Sequence, residues 1–473
     1  MAGYVGLDIG SNLIKVTEVR GGNGRVEVVA LGVDSTPQDA YDNGVIVDAQ
    51  LLGQAIKNLL KKSGIGSNQV VSSASSAASV VVRVIDVPKM APAELAETMK
   101  WEMERQVPFA MSEVIMDYQP VDRPEGVADG ANMEVVLAVA QQDFIDRHVE
   151  VLMAAGLKPK YIDVEPLAAG RALLDIGNGS HPAGHTVAIV NIGASNTDIG
   201  IFRDKLLSFP RSLQLAGDNL TRAIADTLHV DMATAETYKR DLAEVMFDQM
   251  QQQQQQNQGF GGGGFADPGF MDFMPPPVEV GPTSSPSGRM PFDFQASPDA
   301  PPPTPFDFNS GATPDPSTAA DPGFFMPPDA AAPQPDPGAQ PGADLPIPAS
   351  TGDAARDALR IQVFNAIAPL LAELVQELRR SFDYYRTKSG DAPIHEILLV
   401  GGTAKLKQLA PFLEAELGIP TRVANPLQGV QVTSKNFSHE YLEDIASLFS
   451  VSLGLAAYDL VGVPAGGAKK KKK

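Results

Sequence analysis

From Tyr4 to Val33 the chain offers three β-prone runs, Tyr4–Asp8, Ile14–Arg20 and Arg25–Val33, parted by Gly/Asn turns. Short apolar-rich runs broken by such turns predict a sheet of β-hairpins. A helical period follows. Leu51, Leu52, Ile56, Leu59 and Leu60 recur at helical spacing and predict a helix over Gln50–Lys62, with strand-like runs after it at Val70–Ser75 and Val80–Val87. Between about 88 and 157 the pattern gives a helix Pro92–Arg105, strands Val114–Val121 and Met133–Ala140, and an amphipathic helix Asp143–Ala155. That order reads as a small α+β subdomain inserted into the first half, after which Tyr161–Val164 returns to the parent sheet.

The second half repeats the opening pattern. Strands are expected at Thr186–Ile192, Thr197–Phe202 and Lys205–Pro210, then helices at Gly217–Leu228 and Met232–Ala243. A long helix Arg356–Thr387 carries Phe364, Ile367, Leu371, Leu374, Leu378, Phe382 and Tyr385 at steps of three and four, with Pro369 placed to kink it. A strand Ile394–Val400 and a final helix Tyr441–Leu460 close the pattern. It fails in one place: a Gln-rich run over 249–258, Gly261–Gly264 and a Pro/Asp/Ala/Gly tract to about 352. Such composition buries too little apolar surface to offset chain entropy, so this insertion is expected to be disordered. Within it, Pro291-Phe292-Asp293-Phe294 and Pro305-Phe306-Asp307-Phe308 are near-copies, open to reading as docking motifs or as part of an inert spacer.

Two turns carry candidate chemistry. Asp8-Ile9-Gly10-Ser11-Asn12 ends the first strand, and Asn191-Ile192-Gly193-Ala194-Ser195-Asn196 ends its counterpart 183 residues later. In each, an acidic or amide side chain precedes a glycine turn with small hydroxyl residues. Glycine lets the backbone approach an anion, and successive turn N–H groups can cradle phosphate oxygens. A carboxylate beside the turn can hold a hydrated cation on them. Two copies at half-chain spacing imply two related halves facing one nucleotide.

Composition narrows the partners. The 473 residues suffice for two or three domains. No cysteine is present, which excludes disulfides and Cys-based metal sites. Of the net charge of −20, twelve acidic residues against Arg289 alone place −11 in 247–352. That balance argues against nucleic acid as a partner. No signal-peptide pattern opens the chain, and no apolar run reaches the roughly 18 residues of a spanning helix. The expectation is a cytoplasmic protein, peripheral to a membrane where it meets one.

These motifs, with Val164-Glu165-Pro166-Leu167-Ala168-Ala169 and Leu399-Val400-Gly401-Gly402-Thr403, resemble the actin/Hsp70/sugar-kinase superfamily. Within it the chain is most similar to the PilM family of type IV pilus assembly proteins, cousins of the division protein FtsA. Trp101-Glu102-Met103-Glu104-Arg105-Gln106-Val107-Pro108-Phe109, Asp117-Tyr118-Gln119, Ala235-Glu236-Thr237-Tyr238-Lys239 and Glu377-Leu378-Arg379-Arg380-Ser381 carry that narrower likeness, as does the run from Gly401 to Leu406. The resemblance implies an α/β, two-lobed actin-like fold of the duplicated ribonuclease H-like kind. The first lobe would take 1–185, with the inserted block at about 88–157. The second would take 186–248 and 353–463, interrupted by 249–352, with a flexible Lys-rich tail over 464–473.

By the same resemblance ATP with Mg2+ lies between the lobes. Asp8, Gly10, Ser11 and Asn12 face the phosphates with Lys15 nearby, Gly193, Ala194 and Ser195 cup them, and Gly401, Gly402 and Thr403 border the adenosine. Glu236 and Lys239 would reach the ribose and base, a surface ion pair being the competing reading, and Lys15 also reads as a solvent-facing strand residue. Glu165 holds the position that orients water in relatives, although a plain helix N-terminal acid fits as well. Asn191 departs from the usual Asp, which leaves Asp8 as the metal carboxylate and argues for ATP binding with little turnover. The implied partners are a PilN-like bitopic inner-membrane protein, bound through its short cytoplasmic N-terminus, and the pilus motor. Lys469–Lys473 could touch anionic lipid. The alternatives are a filament-forming FtsA-like division protein and a small-molecule kinase of this superfamily.

Overall fold

The computed structural model describes residues 2–22, 25–42, 44–75, 78–107, 109–121, 132–176, 182–247, 353–434 and 437–461. The Gln/Gly/Pro-rich insertion with its Phe-Asp-Phe copies, and the lysine run Lys469–Lys473, lie outside them.

Each lobe begins with the expected meander. In the first, β1 (Ala2–Ile9), β2 (Leu13–Gly22) and β3 (Arg25–Ser35) pair antiparallel, while β6 (Gln69–Ala74) and β10 (Lys158–Val164) extend the sheet in parallel beyond β1. In the second, β11 (Thr186–Ile192), β12 (Thr197–Arg203) and β13 (Leu206–Leu213) repeat the meander, and β14 (Glu396–Val400) and β15 (Thr421–Val423) continue it in parallel. Helix α1 (Ala49–Lys62), N-capped by Asp48, packs Leu52, Ile56 and Leu59 on the first sheet beneath α3 (Gln142–Ala154). Helices α5 (Gly217–Leu228), α6 (Met232–Leu242) and α7 (Asp353–Lys388) cover the second. Helix α7 runs through Pro369. It is long and apolar enough to cross a membrane, yet Phe364, Ile367, Leu371, Leu378 and Phe382 are buried in the second lobe's core.

The structure redraws three sequence expectations. The strand β7 (Val80–Pro88) joins the inserted block, pairing with β9 (Asn132–Gln141), which pairs in turn with β8 (Val114–Val121). Helix α2 (Pro92–Gln106) packs Leu95, Met99 and Met103 on that sheet, whereas α3 serves the first lobe. The block also touches the second lobe: the Lys388 ammonium at the end of α7 donates to Val84 O at 3.0 Å and pairs with Asp86 at 3.2 Å. Finally, the last helix is broken into α9 (His439–Ile445), a 3₁₀ turn Ala446–Phe449 and α10 (Ser450–Ala456), because Ser447 O turns aside to accept from Gly401 N.

Helix α10 returns to the first lobe and lies between β1 and the connecting helix α4 (Glu165–Gly170). The approach leaves no room for side chains. A Cβ on Gly6 would come 1.9 Å from Ser452 O, and one on Gly454 would come 1.8 Å from Ala168 O.

His148 is the one histidine buried in this core among the described residues. The Ser72 hydroxyl spends its proton on Leu7 O, so the His148 Nε2–H donates to Ser72 Oγ at 3.0 Å. Burial pushes the imidazole down to about 4 from 6.5. The unfolded chain therefore binds the proton first. Stability is full above pH 6.5 and falls as pH drops toward 4, by on the order of 3 kcal/mol. Denaturant melts at pH 7.5 and 4.5 should show this loss in the wild type and a smaller one in His148→Gln.

Candidate functional site

The strand ends of both lobes converge on a cleft of about 530 Å³. It brings together every residue singled out from the sequence: Asp8, Gly10, Ser11, Asn12 and Lys15 from the first lobe, Glu165 from α4, and Asn191, Gly193, Ala194, Ser195, Glu236, Lys239, Gly401, Gly402 and Thr403 from the second.

Hairpin register sets the first wall. Asp8 lies opposite Lys15 across β1 and β2, and their charged groups meet at 2.8 Å, with Asp8 nearly buried. Lys15 thus faces the cleft, not solvent. The turn between the strands is held by Gly10 N donating to Leu13 O at 3.1 Å and by the Thr36 hydroxyl donating to Gly10 O at 2.6 Å. The opposing turn closes with Gly193 N donating to Asn196 O at 2.9 Å. It rests on the start of α5, where Gly217 N and Asp218 N donate to Gly193 O and Ala194 O. The two turns meet: Ser11 Oγ and Ser195 Oγ are 2.5 Å apart.

The far end of the cleft is built by Thr403, whose hydroxyl donates to Gly193 O at 2.9 Å, and by Gly401 at φ 91°. A Cβ on Gly401 would lie 2.5 Å from Ile192 O, so only glycine fits there. Glu236 and Lys239 form an ion pair at 2.6 Å. It is tied inward rather than left on the surface, because the Lys239 ammonium also donates to Thr221 Oγ1 at 2.8 Å and Gly217 O at 3.2 Å. Lys405 bridges to Asp444 of α9 at 2.6 Å, and Ser450 and Val451 of α10 line the remaining side.

Sequence reasoning missed Asp198. It sits directly across the β11–β12 hairpin from Asn191, buried, accepting from the Ser212 hydroxyl at 2.6 Å and from Ser75 of the first lobe at 3.4 Å. Around Lys15 the cleft therefore gathers the carboxylates of Asp8, Glu165 and Asp198, with the Asn191 amide donating to Glu165 Oε2 at 3.1 Å. The signal was in the register: counting back from the Gly193 turn pairs 198 with 191. Burial pushes Asp198 up to about 6, with Asp8 adding to it against the two serine hydrogen bonds. Burial likewise holds Glu165 well above the usual carboxylate range, helped by Asp198 and Asp8, while Lys15 and the Asn191 amide pull it back. Tyr41, also unforeseen, is pushed up to about 12 by burial beside these acids.

The donor set fits a magnesium nucleotide. Glycine turns and Lys15 suit phosphates, and excess buried carboxylate suits a cation. Among the described residues no three His, Asp or Glu side chains converge to hold an ion unaided, so Mg2+ would be shared with phosphate oxygens and water.

Two meander sheets, each extended by parallel strands and covered by helices, with a cleft between glycine turns, define an actin-like protein. The chain belongs to the PilM family: the family model described as Type IV pilus assembly protein PilM matches residues 6–245 and 360–459. A solved PilM–PilN type IV pilus biogenesis complex superposes with a TM-score of 0.65 at 26% identity, covering 96% of this chain and 98% of that one. FtsA of Streptococcus pneumoniae is 24% identical over 262 residues, 51% of this chain and 56% of that protein. FtsA of Pseudomonas aeruginosa is 27% identical over 259 residues, 50% of this chain and 60% of the relative. The chain thus spans little more than half the length of these curated relatives.

Because the pKa of Asp198 is raised on folding, its ionisation opposes the fold at neutral pH and not below about 4. Asp198→Asn should therefore raise the melting temperature of the ligand-free protein at pH 7.5, by about 1–3 kcal/mol in stability, and the gain should vanish at pH 4. Calorimetric scans at the two pH values check it; a destabilised variant at pH 7.5 would contradict it.

Proposed function

We propose that this chain is an ATP-binding scaffold of the type IV pilus assembly platform, cytoplasmic and peripheral to the inner membrane. One observation carries the nucleotide reading. Glycine turns 183 residues apart meet at Ser11 and Ser195, in a cleft already holding Lys15 and the carboxylates of Asp8, Glu165 and Asp198. A triphosphate entering there would part the two serines and gain Lys15 and the N–H groups of both turns. Mg2+ would be held from the side of Asp8, supplying charge neutralisation for the phosphates. Thr403, Gly401 and the tethered Glu236–Lys239 pair would border the nucleoside.

For the partner, the family and the PilM–PilN complex found among similar structures support a PilN-like bitopic protein. Its cytoplasmic N-terminus would lie between the first lobe and the inserted block, as an extended peptide with backbone pairing and a few apolar pockets. The tyrosines there support this placing. Tyr161 on the outermost strand β10 is 43% exposed, stacked on Tyr458 at 4.5 Å and edge-on to Tyr4 at 6.1 Å. Asp117 of β8 is close enough to add to the burial that raises Tyr458. Through this partner the protein would join the motor, with Lys469–Lys473 adding about 1 kcal/mol per lysine near an anionic leaflet.

Calorimetry should find ATP binding to wild type and none to Asp8→Ala or Gly10→Val. A Cβ on Gly10 already lies 3.1 Å from the Lys15 ammonium, and the valine methyls would reach into the phosphate space. Equal affinities would remove the nucleotide assignment. Phosphate release by wild type should be slow. Asn191→Asp should melt earlier without ligand, since it sets a fourth carboxylate against Glu165, yet release phosphate faster with Mg-ATP. Fast release by wild type that disappears in Glu165→Gln would replace the scaffold reading with an ATPase cycle.

A further inference from the structure

Two elements run from the cleft to the tyrosine face, and one side chain fastens them there. Helix α4 starts with Glu165 in the cleft wall and continues as a π-helical stretch whose first residue is Arg171. Helix α10 starts with Ser450 and Val451 in the same wall, and the chain just beyond its end carries Tyr458. The Arg171 guanidinium donates to Gly454 O of α10 at 2.9 Å and to Asp163 of β10 at 3.0 Å, and it lies over the Tyr458 ring at 4.8 Å. Asp163 and Tyr161 share a face of β10, two residues apart.

We propose that Arg171 makes nucleotide and peptide binding interdependent, by joining the helix that carries Glu165 to the two segments that carry Tyr161 and Tyr458. This rests on the nucleotide and peptide reading above. The second lobe acts on α4 where the Asn191 amide donates to Glu165 Oε2, and a nucleotide beside Glu165 acts on the same point. Helices α4 and α10 cannot slide freely over each other, since Gly454 abuts the Ala168 carbonyl with no space for a methyl group. A displacement at Glu165 is therefore carried along α4 to Arg171. There a rigid planar fork contacts three partners at once, so re-aiming it toward one changes its fit to the others. The partners that give way are Asp163 beside Tyr161 and the ring of Tyr458, both part of the peptide face. Lysine would keep the charge and lose the fork.

The experiment measures affinity of a fluorescent peptide with the cytoplasmic N-terminal sequence of PilN, with and without Mg2+ and a non-hydrolysable ATP analogue, for full-length wild type and Arg171→Lys. Wild type should show at least a fivefold difference between the two conditions, the low end of measured couplings. Arg171→Lys should bring the ratio close to one while nucleotide affinity measured alone changes less than twofold. A ratio that persists in Arg171→Lys overturns the proposal, and if Lys388→Met removes it instead, the coupling runs through the strut to Val84 and Asp86. Wild type that binds both ligands without interdependence also overturns it and leaves the functional reading intact. Absence of either binding event defeats that reading itself. Should Arg171→Lys fail to fold, Tyr458→Leu, which keeps both hydrogen bonds of Arg171 and removes its stacking partner, carries the same comparison.

Discussion

The architecture depends on how closely α10 can approach its neighbours. Gly6 on one side and the Gly454–Ala168 contact on the other admit no Cβ, so this helix is held between the first sheet and the connecting helix at backbone distance. Thr17 of β2 and Ser452 then share a buried hydrogen bond at 2.8 Å. Everything the cleft needs from this quarter follows. Glu165 emerges from the start of α4, Ser450 and Val451 from the start of α10, and the break before α10 lets Ser447 O receive Gly401 N. Close packing sets these positions, and Thr17, Ser452 and Arg171 add the polar ties.

Against that packed frame the cleft is electrostatically expensive. Three carboxylates are drawn together with Lys15 as the close cation, and two of the three are held above their ordinary range by burial. Such strain costs stability in the ligand-free chain, and a cation bound there would relieve it. Asn191 suits this picture as well as it suits a site with one acid fewer. An amide at that position donates to Glu165, where another carboxylate would repel it.

Most of the fold could be seen in the chain because both lobes announce themselves through the same signals. β-prone runs, glycine turns and helical apolar spacing bring Val114–Val121, Thr186–Ile192 and Gly217–Leu228 out at their observed bounds. What escaped was governed by tertiary contact. Strand β7 reads as one more β-branched run and says nothing of which sheet it joins. The last helix reads as continuous because the carbonyl that breaks it answers a donor 46 residues away. The turns yielded their site residues directly, since glycine and small hydroxyl residues are local requirements. Asp198 needed the register, Tyr41 is placed by packing within the first lobe, and the ties from Lys239 to Thr221 and Gly217 exist only once α5 and α6 are packed.

One connection sets the order in which the molecule can be made. The short strand β16 (Gln431–Val432) pairs with β3, and α10 closes over β1, so the first lobe is finished by residues made long after its own sheet. Thr17 waits for a partner 435 residues downstream. At about 5–20 residues per second that interval is tens of seconds, and it includes the whole Gln/Gly/Pro-rich stretch. During synthesis Val19, Val28 and Leu31 of this sheet stand without their cover from Phe449 and Leu453, while most of the second lobe is made before α10. The emerging protein therefore passes through a stage with one complete lobe and one open sheet, and chaperone demand should concentrate on that stage.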